Sequence, residues 1–72
     1  MDEFELGSIY CLACSRISSA STELYEILFD KEGQPIGDLE HINAHIKLFQ
    51  RQVSAEADLI RQGLIEYKEL ND

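Results

Sequence analysis

Basic residues are scarce: six Lys and Arg stand against fourteen Asp and Glu, a net charge of −8 over 72 residues. A surface that acidic repels phosphate. Unassisted DNA or RNA binding is not expected, since nucleic-acid affinity comes mostly from Lys and Arg displacing counterions. Long apolar runs are missing too, and none approaches the ~20 residues that span a bilayer. The N-terminus, Met1-Asp2-Glu3-Phe4-Glu5-Leu6, is acidic where a secretory signal would be basic, and no apolar h-region follows it. The expectation is an intracellular, cytoplasmic protein, with the nucleus open to it. There is no Gly-rich phosphate or oxyanion loop, no D-x-D-x-D-G calcium pattern and no internal repeat. Together with a length that rarely encloses a substrate pocket, this argues against an enzyme.

What is present fits one small domain, residues 1–72, with 44% apolar residues and therefore material for a core. Such a core seldom supplies more than roughly 3–5 kcal/mol, so a metal or a partner chain is expected to help. The front part, residues 1–37, reads as irregular. Ser8 to Cys14 holds β-formers, Ser15 to Thr22 is Ser-rich, and Tyr25, Ile27 and Phe29 alternate onto one face. A turn at Asp30-Lys31-Glu32-Gly33 and a return strand Gln34 to Gly37 complete a β-hairpin, with Pro35 confining that strand to an edge. A helix across Ser21 to Phe29 competes with this reading, because Leu24, Ile27 and Leu28 also fit helical spacing.

Residues 38–70 read as helical. Asp38 is a good N-cap, and Leu39, Ile42, Ile46, Phe49 and Val53 recur at three- and four-residue steps. A second stripe, Ala57, Ile60, Leu64 and Tyr67, follows a new capping signal at Ser54, so two helices or a kinked one are expected. A parallel coiled coil is disfavoured because Glu56 and Gly63 interrupt the seam. The expected fold is α+β, a knuckle and hairpin packed on one or two C-terminal helices, with an all-α helical hairpin as the alternative.

Every cysteine and histidine falls into one of two pairs, Cys11-x2-Cys14 and His41-x3-His45. Two thiolates and two imidazoles make a common tetrahedral zinc set. A turn could aim both sulfurs at one point, and a helix puts both rings on one side. The expectation is a structural zinc held by Cys11, Cys14, His41 and His45, with no open coordination position for catalysis. The 26 residues between Cys14 and His41 would then be a folded insertion. The competing reading leaves the cysteines as small apolar residues and the histidines as a solvated helix flank. Cys11-x2-Cys14 followed by Leu28-Phe29-Asp30 resembles the opening of the insect zinc-finger-associated domain. That family's second C-x2-C pair has no counterpart here, so the resemblance implies no function.

The expected function is a small acidic protein-binding regulator or adaptor without catalysis. Glu3, Glu5 and Glu26 would meet a basic partner surface, and Leu59, Leu64 and Tyr67 would supply an apolar stripe for a partner or for a homodimer. The alternatives are an acidic inhibitor lodged in the nucleic-acid site of a polymerase or nuclease, and a metal-free helical structural dimer.

Overall fold

The Asp2 carboxylate accepts a hydrogen bond from the Glu5 backbone N–H at 2.7 Å. From this cap the computed structural model, which describes residues 2–71, continues as one helix, α1 (Glu3–Leu28). Glu3 and Glu5 in its first turn complement the helix dipole. A second helix, α2 (Leu39–Asn71), returns antiparallel to it. The protein is therefore a helical hairpin, and the α+β expectation is overturned in favour of its all-α alternative. Cys11 and Cys14 lie within α1 and form no knuckle. Leu24 to Leu28 is helix, since Leu24 and Leu28 face α2 and their burial outweighs the β alternation of Tyr25 and Ile27.

The expected strand pair survives as a single bridge between Phe29 and Pro35 inside the connector 29–38. Ile36 donates its N–H to the Leu28 carbonyl at 2.8 Å, and Asp30 donates to the Gln34 carbonyl at 2.9 Å. The Asp30 carboxylate accepts from the N–H groups of Glu32 and Gln34, which tightens the turn. Gly33 and Gly37 take φ of 80° and 82°, a left-handed backbone that side chains with a Cβ rarely adopt. Tyr25 stacks on Phe29 with ring centroids 4.8 Å apart.

Asp38 caps α2, its carboxylate accepting from the His41 N–H at 2.8 Å. Asp38→Ala should lower stability by about 1 kcal/mol. That corresponds to a thermal midpoint lower by about 5 °C, measurable by circular dichroism, while Asp38→Asn should retain most of it. The bend expected near Ser54 is absent, and α2 is one unbroken helix of 33 residues.

The helices meet along a seam with Leu6, Ile9, Ala13, Ile17, Ala20, Leu24 and Leu28 on α1. Those positions step by three and four, the period of a straight helix stripe. On α2 the seam is Ile42, His45, Phe49, Val53, Glu56, Ile60, Gly63 and Tyr67. Among the described residues only Ala13, Ala20 and Leu28 are buried apolar residues. Small side chains at Ala13 and Ala20 let the helices approach. A Cβ built on Gly63 would lie 3.5 Å from Leu6 Cδ1 and 3.7 Å from Ile9 Cγ2.

The Cα atoms extend 50 × 21 × 9 Å, a single layer two helices wide. The radius of gyration is 16.3 Å, against about 11 Å for a compact chain of this length. Among the described residues, no helix is long and apolar enough to cross a membrane.

Candidate functional site

The antiparallel register decides the fate of the expected zinc set. Glu3 meets Tyr67 and Arg16 meets Glu56, which fixes the levels along the hairpin. Cys11 lines a groove with Ile60 and Leu64 near the open end. His45 lines another with Ala20 and Ile27, near the connector. The α1 turns between Cys14 and the level of His45 separate the two pairs by roughly 15–20 Å at 1.5 Å rise per residue. Each pair keeps its local geometry: the thiols are exposed one turn apart, and the rings of His41 and His45 meet edge-on with centroids 4.6 Å apart. Among the described residues no group of three or more His, Cys, Asp or Glu side chains could hold a metal ion. The zinc-binding expectation is thus corrected. The supposed folded insertion is mostly rigid helix, which carries the thiols away from the imidazoles.

The partner residues expected from sequence are placed differently from one another. Leu59 and Leu64 are nearly equally exposed, at 48% and 49%, yet lie on opposite sides of the ribbon. Tyr67 is half-buried on the seam, and its hydroxyl donates to Glu3 Oε1 at 3.1 Å. That bond to Glu3 pushes the Tyr67 phenol above its ordinary pKa. The Tyr10 phenol is raised as well, chiefly by the Cys14 thiol one turn along. Glu5 and Glu26 are exposed on α1.

Open apolar grooves follow the seam on both sides. On one side, Glu3, Leu6, Gly7, Tyr10, Ile60 and Leu64 line a groove of 340 Å³. On the other, Ile9, Leu12, Arg16, Leu59 and Gln62 line one of 310 Å³. On this second side and nearer the connector, Leu24, Ile27, His45, Leu48 and Phe49 line a third, of 400 Å³. Helical geometry at 100° per residue places Glu5, Glu23, Glu26 and Glu66 on the second side too. Its bases are Arg51 and Arg16, the latter tied to Glu56 at 3.4 Å. The first side carries Glu3, Arg61 and Lys68, with Arg61 ion-paired to Asp58 on its own helix.

No protein-family model matches the chain, and no curated protein or solved structure shows significant similarity to it. Function must therefore be argued from the surface alone. Among the described residues thirteen large apolar side chains are exposed, against three buried apolar residues. The accessible surface is 5585 Å², whereas a compact monomer of 8.2 kDa exposes about 4,500 Å². Sequence reasoning missed Glu56 and Gly63 as seam residues and Gly7 as a groove residue. The three-and-four spacing of the α2 stripe, through Phe49, Val53, Ile60 and Tyr67, was the signal available for locating the first two.

Proposed function

We propose that the chain is a metal-independent helical interaction module with no chemistry of its own, a structural element completed by packing its open sides against another helical protein surface. The observation that carries this is the imbalance between an alanine-based seam and the large apolar side chains left in solvent. One layer of helix cannot cover both of its own sides; a second layer can, as in helical bundles. The acids Glu5, Glu23, Glu26 and Glu66 suit the second side to a partner with basic character. Two free thiols fit a reducing, intracellular compartment.

Two measurements test the reading. Excess strong chelator should leave the helical circular dichroism and the thermal midpoint unchanged; a loss of helix would restore a metal to the account. At nanomolar dilution the isolated chain should bind an apolar-surface dye and melt over a broad range. A sharp, dye-free transition at that dilution would show a self-sufficient fold and remove the reading.

A further inference from the structure

Gly7 stands in the interior of α1, where glycine costs up to about 1 kcal/mol relative to alanine. Within the hairpin nothing explains it: a Cβ built there meets no atom within 4 Å. It forms a notch in the groove that it shares with Leu64, which lies across the seam at the same level. Leu64 is half exposed, an apolar knob beside an empty notch.

We infer that a second copy of this chain covers this side, with its Leu64 seated in the notch at Gly7 and the reciprocal contact made by the first copy. This deepens the interaction-module reading and rests on it. A two-fold axis along the length of the hairpin lays α1 of one copy on α2 of the other and keeps their levels matched. All neighbouring helices are then antiparallel, the arrangement that four-helix bundles and helix dipoles favour. On α1 the same side continues as Cys14 and Ser21, and on α2 as Ala57, Val53 and Ile46.

Charge selects this occupant, and the exposed area is sufficient for it. A chain of net charge −8 can meet itself only where acids are few. This side offers Glu3, already engaged by Tyr67, against Arg61 and Lys68. On the other side the same axis would set Glu5 against Glu66 of the second copy and add Glu23 and Glu26 to the contact. The surface in excess of a compact monomer is roughly 1,000 Å². A standard stable interface buries about 800 Å² per partner.

Sedimentation equilibrium of the full chain, from micromolar to near-millimolar concentration, tests this. Twice the 8.2 kDa chain mass is expected. Leu64→Lys should raise the dissociation constant at least about thirty-fold, as loss of a central contact does. Leu59→Lys, matched in exposure but on the opposite side, should stay within about three-fold of the parent. Gly7→Leu should weaken the dimer about ten-fold while raising the helicity of the separated chain, so unfolding cannot account for its effect. Adding Leu64→Ala to Gly7→Leu should recover part of that loss by making room in the notch. A parent chain that stays monomeric throughout overturns the inference, and the dilution test decides separately whether an interaction module survives with another partner. Equal weakening by Leu59→Lys and Leu64→Lys, or a greater loss with Leu59→Lys, also overturns it.

Discussion

Gly63→Leu should destabilise the protein by about 3 kcal/mol, and Gly63→Ala should stabilise it by up to about 1 kcal/mol. The opposite signs follow from one geometry. Gly63 is a buried position on α2, and a Cβ there makes ordinary contacts with Leu6 and Ile9, the nearest at 3.5 Å. Alanine therefore fits, and it restores the helix propensity that glycine forfeits. Leucine adds three more carbons where the two apolar side chains of α1 already stand. The helices must separate or the side chains must leave their preferred rotamers, and the rest of the seam has little burial to compensate. Urea titrations of both variants, analysed for midpoint and slope, would measure the difference. A leucine variant as stable as the parent would mean that the helices are not in close contact at this level.

The readable part of this fold was α2. Its capping aspartate, its apolar period from Leu39 to Val53 and its second stripe through Ile60 and Tyr67 are carried by large side chains that stand out from their neighbours. The α1 seam has the same kind of period, but two of its three buried members are Ala13 and Ala20. Alanine marks a core position only once the opposing helix is known to be close. The serines at 15, 18, 19 and 21 point away from the buried seam and are exposed, so a loop-like composition lies on a helical backbone. Tertiary packing overrode local propensity there, as it also did at Tyr25 and Ile27.

The misreading of Glu56 and Gly63 has a related cause. Both spoil a seam in which identical helices face each other in parallel. In an antiparallel hairpin each faces a different residue of α1, Arg16 in one case and Leu6 with Ile9 in the other. The cysteine and histidine pairs failed at a longer range. Spacing within a pair fixes local geometry well, and both pairs are where helices would put them. The distance between pairs depends on whether the intervening residues turn back or continue straight, and Ser15 to Leu28 continue straight.

Arg16→Met should cost about 2 kcal/mol, whereas Glu56→Met should be neutral or stabilising. Glu56 is the buried charged residue of the seam, 8% exposed. Among the described residues its one side-chain partner is the Arg16 guanidinium, which donates to Glu56 Oε2 at 3.4 Å. Removing the arginine leaves a desolvated carboxylate facing an alanine-based core, and water reaches it poorly. Arg16 itself is about half exposed, its side chain at 46%. Solvent screens the pair from that side, which keeps the cost below the 3–5 kcal/mol or so of a fully buried pair broken at one end. Replacing the glutamate instead removes the desolvation penalty, and a methionine can fill the space along the seam. Arg16 then loses only a long contact and points into water. Because the arginine matters chiefly through the glutamate, Arg16→Met should cost much less once Glu56→Met is present. A double-mutant cycle by denaturant titration would measure that coupling at about 1–2 kcal/mol. If Glu56→Met proves more damaging than Arg16→Met, the carboxylate is a structural requirement of the seam. The alternative, a polar defect held in check by one cation, would then be wrong.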